Sequence, residues 1–255
     1  MLIGASTACN TNPSAAPSLS RQPTASAPSL SERPSILLQL VAGSADGPGV
    51  VPAAPGGVAA RGPQSVIVEQ GRIYVWDEAN LRVLIYDGQS RSGAVSLRDA
   101  RVQSRALVFE NDRFYLREQD DAGTAMYEDE FDASSGARLR TAAVRFGEAS
   151  LYPRVRFAPP IVGTPKGSSL PLGVDASGNR YEIFTPTSCA GASCNEVHRV
   201  DRTGTVTASV TVPEAARFED LAIARDGGVY GLQWDRDGSG RVTGMTVQRL
   251  FSPLR

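Results

Sequence analysis

The chain has 255 residues, a formal net charge of −1, and a single lysine, Lys166, beside 25 arginines. Because positive and negative residues alternate along the chain instead of clustering, this composition argues against a nucleic-acid-binding surface. No segment is apolar over the roughly 20 residues that a membrane-spanning helix needs, so membrane attachment would have to depend on a lipid.

The first nine residues form a short run of apolar and small residues that ends in Ala8-Cys9. This run resembles the end of a bacterial lipoprotein signal, in which small residues precede a cysteine that is lipidated and becomes the new N-terminus. The resemblance implies that Cys9 carries the lipid. It also implies that the chain is held outside the cytoplasm, in the bacterial cell envelope, facing the periplasm or the surface. A disordered N-terminus without a signal is the alternative.

Residues 10–35 are mostly Ser, Pro, Ala and Thr, and large apolar residues become frequent only from Ile36 onwards. Such a segment cannot bury enough surface to offset the entropy of ordering it. We therefore predict a disordered tether over 10–35. It follows a signal-like segment, 1–9, and precedes one folded domain, 36–255.

One short phrase occurs four times in the folded domain: an apolar alternation, a turn with Gly, Asp or Asn, and a strand with Tyr as its landmark. In the first copy, Val66 and Val68 share one face of a strand, and Gln70-Gly71 supplies a tight turn. Such self-similarity is typical of all-β repeat proteins and predicts a β-propeller of four-stranded blades. The copies cover residues 66–76, 106–116, 172–183 and 221–232.

The number of blades is predicted from length. Residues 36–255 amount to five or six repeats at roughly 40 to 45 residues per blade. The landmark tyrosines lie 41, 66 and 49 residues apart, and the longest gap suggests a degenerate blade near 151–162. These landmarks are Tyr74, Tyr115, Tyr181 and Tyr230.

Residues 62–87 begin with Gly62-Pro63, pass through an apolar strand and a Gly turn to Asp77, and continue with Asn80-x-Arg82 into a second apolar strand. This order resembles an NHL-type propeller repeat, and the resemblance implies structural roles for Asp77, Asn80 and Arg82. Their chemistry agrees, because Asp77 can accept backbone N–H bonds at the end of a strand, Asn80 tolerates left-handed backbone, and Arg82 can pair with a carboxylate. A binding site at the top of the blade is the alternative.

Cys189 and Cys194 remain if Cys9 carries a lipid. Only four small or polar residues separate them, so we predict a disulfide across a hairpin tip, which an envelope compartment would preserve. Free thiols and a metal-binding pair are the alternatives.

Two acidic segments could bind cations. The first comprises Glu118–Asp121 and Glu128–Glu130, which we interpret as a solvated loop that protects a strand edge. The second contains Asp235, Asp237 and Ser239, which match the opening ligands of a calcium loop, but Thr246 stands where its bidentate glutamate should be. An ordinary hairpin turn is the prediction here, and calcium is the alternative.

The single histidine, His198, lies in an alternating strand, so a nucleophilic relay has only one candidate base. Neither a Gly-x-Ser-x-Gly elbow nor a phosphate-binding loop accompanies it. We therefore predict a monomeric binding or scaffolding module without catalysis or cofactor, whose partner is an envelope protein or a glycan.

A metal-dependent hydrolase is the alternative function. Six-bladed propellers of the gluconolactonase type hold a divalent cation in the axial channel with acidic and amide side chains. Candidate ligands would be Asp77, Asp175, Glu219 and Asp220, if they converged on one axis. Fold analogy alone does not assign this chemistry.

Overall fold

The computed structural model describes residues 30–31, 34–50, 62–63, 65–100, 106–119, 126–144, 167, 169–187, 195–211 and 218–253. These residues form β-strands joined by turns, with one 3-10 turn at Glu78–Asn80. None of them belongs to a helix that is long and apolar enough to cross a membrane. Cys9, Cys189, Cys194 and the segment 151–162 lie outside the described residues.

The strands are numbered in chain order. They are β1 (Leu30–Ser31), β2 (Ser35–Val41), β3 (Ser65–Glu69), β4 (Arg72–Asp77), β5 (Arg82–Asp87), β6 (Ser90–Ser96), β7 (Ala106–Glu110), β8 (Arg113–Gln119), β9 (Met126–Asp132), β10 (Arg138–Val144), β11 (Ser169–Val174), β12 (Arg180–Phe184), β13 (Glu196–Val200), β14 (Val206–Thr211), β15 (Phe218–Ile223), β16 (Val229–Arg236) and β17 (Val242–Phe251).

All strands except β1 form four antiparallel blades of a β-propeller. Blade 1 is β3-β4-β5-β6, blade 2 is β7-β8-β9-β10, blade 3 is β11-β12-β13-β14, and blade 4 is β15-β16-β17-β2. The innermost strands contact one another in the order β7, β3, β15, β11. The predicted all-β propeller of four-stranded blades is therefore confirmed.

The described residues form four blades, so the prediction of five or six is wrong. Each repeated phrase is the innermost hairpin of one blade, and four phrases correspond to four blades. The estimate from length failed because 23 residues separate β2 from β3 and 24 separate β10 from β11. These connections lengthen the repeat without adding a described blade.

The innermost hairpins follow from the phrase itself. Gln70 and Gly71 both have positive φ, 51° and 78°, and Asn111 and Asp112 have φ of 50° and 56°. Two consecutive residues of this kind make the two-residue turn whose twist matches that of the flanking strands. Apolar and aromatic residues then alternate on both strands, so each hairpin has faces to bury against neighbouring blades.

Hydrophobic residues fill the spaces between the blades. One cluster joins blades 4 and 1, a second joins blades 3 and 4, and a third joins blades 1 and 2. Each blade therefore buries its apolar face against a neighbour, as expected for a repeat that is unstable alone. The largest fully buried side chains include Trp76, Tyr86, Phe114, Phe131, Tyr181 and Phe251.

The N-terminal part of the chain completes the last blade. Strand β2 pairs antiparallel with β17, the last strand, so both ends of the domain meet in blade 4. The two-residue strand β1 pairs in parallel with β14 at the outer edge of blade 3. Leu30 and Ser31 lie in the segment predicted to be an unstructured tether, but the open backbone groups of an edge strand pair with them here.

The segment that begins with β2 binds blade 1. We call residues 35–49 the N-terminal clasp. Backbone carbonyls of the clasp accept side-chain hydrogen bonds from blade 1, at 2.7 Å from Tyr86 Oη to Asp46 O, from Arg91 Nη1 to Ala45 O and from Gln89 Nε2 to Leu37 O. The clasp therefore joins blade 4 to the two outer strands of blade 1, β5 and β6, and the turn between them.

The acidic run Glu128–Glu130 lies in β9, an interior strand of blade 2, and not in the solvated loop that we predicted. Glu128 is 2.8 Å from Arg117 on β8, and Glu130 is 3.5 Å from Arg140 on β10. Asp129 faces Arg138 at 3.7 Å and also accepts a hydrogen bond from the Thr141 hydroxyl. Arginines on both neighbouring strands compensate the acidic charges, which a linear sequence does not reveal.

Candidate functional site

The turns of the four innermost hairpins meet at one end of the propeller. Arg225, in the β15–β16 turn, forms an ion pair with Glu110 at the end of β7, which links blade 4 to blade 2. Its carbonyl oxygen accepts a hydrogen bond of 3.3 Å from the backbone N–H of Ala176, in the β11–β12 turn of blade 3. Arg225 thus connects three blades at this end, which we call the turn face.

A cleft of about 630 Å3 opens on the turn face between blades 1, 2 and 4. Its volume lies within the range of about 300–1,000 Å3 that is typical of ligand sites. We call it the turn-face cleft. The residues that line it are Glu69, Gln70, Arg72, Tyr74, Ile85, Phe109, Glu110, Asn111, Asp112, Phe114, Ala133, Ser134 and Arg225.

The floor of the turn-face cleft is aromatic and apolar. Phe109 is half-buried and stacks on Tyr74, with ring centroids 4.8 Å apart and planes inclined by 21°. The ring of Phe114 packs against Phe109 at 5.3 Å from below. Ile85 and Ala133 extend this surface and are also half-buried. Two aromatic contacts therefore hold Phe109 in this orientation.

The rim of the cleft is polar and carries both signs of charge. Carboxylates come from Glu69, Glu110 and Asp112, and guanidinium groups come from Arg72 and Arg225. The side-chain amides of Gln70 and Asn111 add groups that can both donate and accept hydrogen bonds. The rim can therefore satisfy donors and acceptors of a polar ligand placed over the aromatic floor.

The sequence did not indicate this cleft. Glu69, Glu110 and Arg225 are far apart in the chain, and each stands at a hairpin turn, where polar residues are expected for the turn alone. The repeated phrase was the one available signal, because equivalent turns of a propeller must lie at the same end of the molecule. Which turn residues face one another depends on how the blades pack.

The three residues of the NHL-like segment lie together at the opposite end of blade 1. Asp77 is fully buried and accepts hydrogen bonds from Asn80 Nδ2 at 2.9 Å and from Arg82 Nε at 2.7 Å. It also accepts one from the backbone N–H of Gly49 in the N-terminal clasp, at 3.0 Å. A Cβ atom on Gly49 would lie 2.4 Å from Asn80 Nδ2, so this contact requires glycine.

The calcium-like segment forms the β16–β17 turn. Asp237 Oδ1 accepts hydrogen bonds from the hydroxyl and backbone N–H of Ser239, at 2.6 and 3.0 Å, and from the N–H of Arg241 at 3.1 Å. The Ser239 hydroxyl and these N–H groups lower the pKa of Asp237 to about 2. Asp235 instead accepts from the Thr246 hydroxyl, at 3.2 Å. Both carboxylates are therefore engaged in the hairpin itself.

Two candidate ligands of the hydrolase alternative, Asp77 and Asp175, lie at opposite ends of the propeller. Asp77 ends β4 at the end of the propeller away from the turn face, whereas Asp175 lies in the β11–β12 turn on that face. Asp175 accepts hydrogen bonds from the Asn179 side chain at 2.8 Å and from the Tyr181 hydroxyl at 3.0 Å. The side chains of Glu219 and Asp220 lie outside the described part of the chain.

His198 and Tyr181, both in blade 3, also have hydrogen-bond partners in the structure. His198, on β13, has Nε2 2.7 Å from Glu196 Oε2 and stacks on Phe184 with centroids 4.9 Å apart. Burial raises the pKa of Tyr181, whose single hydroxyl proton is shared between Asp175 and the carbonyl oxygen of Gly227, 2.9 Å away, and this contact ties blade 3 to blade 4. Among the residues with described positions, no three His, Cys, Asp or Glu side chains are grouped so that they could hold a metal ion.

Comparisons with known proteins give weak likenesses. No model of a known protein family matches the chain, so its resemblance to NHL repeats stays a prediction. No curated protein matches it either. Among solved structures, it is similar to a virginiamycin B lyase from Staphylococcus aureus, with 11% identity over 72% of this chain and 69% of that one, at a TM-score of 0.26. It is also similar to an exo-β-1,3-galactanase from Phanerochaete chrysosporium, with 11% identity over 78% of this chain and 48% of that one, at a TM-score of 0.24. At these values neither likeness indicates a ligand or a reaction for this chain.

Proposed function

We propose that this protein is a non-catalytic binding module of the bacterial cell envelope, anchored by a lipid on Cys9, whose propeller holds a protein or glycan partner. The observation that carries the binding role is the turn-face cleft, which combines an aromatic floor with a polar rim. Anchoring is supported by the lipoprotein-like run at residues 1–9.

The construction of the cleft favours binding by a preformed site. Its walls are hairpin turns whose backbone is fixed by strand pairing on both sides, and Arg225 and Glu110 hold two of those turns together. A ligand therefore meets side chains that are already positioned, and little conformational entropy is lost on binding. We expect the backbone of the cleft to move little when a partner binds.

The proposal is tested with the Cys9→Ser chain as bait. We expect this variant to leave the membrane fraction and appear in the soluble fraction, whereas its retention in membranes would contradict the lipid anchor. The purified bait is immobilised and exposed to two preparations of bacterial envelope, one digested with protease to leave glycans and one treated with periodate to destroy them.

A binding module should retain material from one preparation and release it chemically unchanged. The Arg225→Ala bait should retain less, because it loses a rim donor and the link to Glu110. The matched Arg241→Ala bait, in which an exposed arginine of another blade 4 turn loses its pair with Asp237, should retain as much as the parent. Conversion of the retained material, or equal retention by all three baits, would refute the proposal.

A further inference from the structure

We infer that the ligand of the turn-face cleft is a neutral glycan, whose sugar ring lies on Phe109 while its hydroxyls bond to the rim. This inference rests on the proposed binding function and specifies the partner. Three features of the molecule support it: the floor of the cleft, its rim and the surface around it.

The floor suits the face of a pyranose ring. One face of a sugar presents C–H groups, which pack favourably on an aromatic ring, and its edges present hydroxyls. Phe109 is half-buried and lines the cleft, and Ile85 and Ala133 continue the apolar surface beside it. The stack on Tyr74 prevents Phe109 from turning away.

The rim suits hydroxyl groups. A hydroxyl both donates and accepts, so it needs donors and acceptors at short intervals around it. Asn111 and Asp112 lie side by side in one turn and offer an amide and a carboxylate, while Arg72 and Arg225 offer guanidinium N–H groups from the other two blades. Charged partners make such hydrogen bonds stronger than neutral ones.

The charge of the rim favours a neutral glycan over an anionic one. Three carboxylates outnumber two guanidinium groups, and one guanidinium, that of Arg225, is already paired with Glu110. Two guanidinium groups against three carboxylates leave the lining residues with a net charge of −1, so a sulfate or uronate placed in the cleft would meet net negative charge, and like charges repel.

The surface around the cleft is less suited to a protein partner. Protein interfaces of standard size bury roughly 800 Å2 on each partner and centre on exposed aromatic or apolar anchors. The large hydrophobic residues that the described part of the chain exposes do not line the cleft and are distributed over blades 2, 3 and 4. They are Ile36, Val41, Leu139, Val174 and Val206.

The experiment measures binding of the full chain to neutral oligosaccharides of glucose, mannose, galactose and N-acetylglucosamine on an array, followed by calorimetry with the best ligand. Sulfated heparin and oligogalacturonate fragments serve as anionic comparisons. We expect at least one neutral oligosaccharide to bind and the anionic ones to bind at least about 10-fold more weakly.

Two matched pairs of variants locate the site. Phe109→Leu keeps an apolar side chain but removes the ring, and we expect it to weaken binding about 10-fold. Phe184→Leu makes the same change at a half-buried position of blade 3 and should leave the affinity unchanged. Arg225→Ala should also weaken binding about 10-fold, and Arg241→Ala should not. Melting curves of all four variants show that each is folded.

The outcomes separate this inference from the proposed function. If the bait retains a protein and no neutral glycan binds, the glycan inference is wrong and the binding function stands. If glycans bind but Phe109→Leu and Arg225→Ala behave like their matched controls, the inference is also wrong, because the ligand lies elsewhere. If neither a glycan nor a protein binds, both proposals fail.

Discussion

At the scale of single residues, aspartates stabilise several turns by accepting hydrogen bonds within them. Asp132, Asp201 and Asp237 each accept hydrogen bonds from a following hydroxyl and from backbone N–H groups of the same turn. These donors favour the ionised carboxylate and lower the pKa of all three groups. The contacts of Asp201 close the turn Asp201-Arg-Thr-Gly204, in which Gly204 has a positive φ of 90°.

Ser239→Ala should reduce the acid sensitivity of the fold. The pKa of Asp237 is about 2 in the folded chain and about 3.9 in the unfolded chain. Its contribution to the free energy of unfolding is therefore present above about pH 4 and is lost as the pH falls towards 2. Removing the Ser239 hydroxyl raises the folded pKa, so the variant should be less stable at pH 7 and lose less stability between pH 4 and 2.

Urea midpoints at pH 7, 4 and 2.5, with the carboxyl titration of Asp237 followed by NMR, check this prediction. Ser92→Ala is the matched control, because the Ser92 hydroxyl donates to the carbonyl of Ile85, at 3.3 Å, which does not titrate. Identical acid dependence in Ser239→Ala and Ser92→Ala would show that the Ser239 hydroxyl does not set the pKa of Asp237.

At the scale of elements, β9 shows how a charged strand can lie inside a sheet. Glu128 is 6% exposed, and its partner Arg117 is 13% exposed, whereas Glu130 is 22% exposed. Burial removes the water that would otherwise solvate the Glu128 carboxylate, so the fold depends on Arg117 to replace it. The charged residues of β9 thus form ion pairs with both neighbouring strands.

Glu128→Gln should therefore destabilise the protein by about 3 kcal/mol, because it leaves the Arg117 guanidinium buried without a counter-charge. Glu130→Gln, at a more exposed position of the same strand, should cost below about 1 kcal/mol. Chemical denaturation of both variants measures the difference. Equal losses would mean that the Arg117–Glu128 pair is solvated and contributes no more than a surface ion pair.

At the scale of the whole molecule, the N-terminal clasp closes blade 4 and ties it to blade 1. Leu38, on β2, is fully buried in the cluster between these two blades, whereas Ile36, on the same strand, is 58% exposed. The same strand also supplies the outermost backbone pairing of blade 4, opposite β17. The stability of the propeller thus depends on residues from both ends of the folded domain.

Leu38→Ala should lower the free energy of unfolding by about 2–5 kcal/mol, because it removes buried surface and leaves a cavity between two blades. Ile36→Ala should change it by less than about 0.5 kcal/mol, since the side chain is mostly in water. Thermal and urea unfolding of the two variants measures both changes in the free energy of unfolding. A small loss in Leu38→Ala would mean that the propeller is stable without a well-packed clasp.

Much of the fold could be predicted from local patterns, and the failures have physical reasons. Alternating apolar residues around a Gly or Asn-Asp turn specify a hairpin, because only neighbouring residues are needed to form it. The acidic run 128–130 was misjudged because its compensating arginines come from strands on either side. Length misled the blade count, since the long connections between β2 and β3 and between β10 and β11 add residues but no described blade.

The sequence by itself determined an all-β chain with four copies of one hairpin and an N-terminal segment of different composition, because strand periodicity and turn chemistry act over a few residues. Only the tertiary structure decided that β2 completes the last blade, that Asp77 binds the clasp through Gly49, and that Glu69, Glu110 and Arg225 line one cleft. These contacts join residues that are tens to more than a hundred positions apart. They exist because neighbouring blades bury their hydrophobic faces against one another, and that packing brings the turns of separate hairpins together.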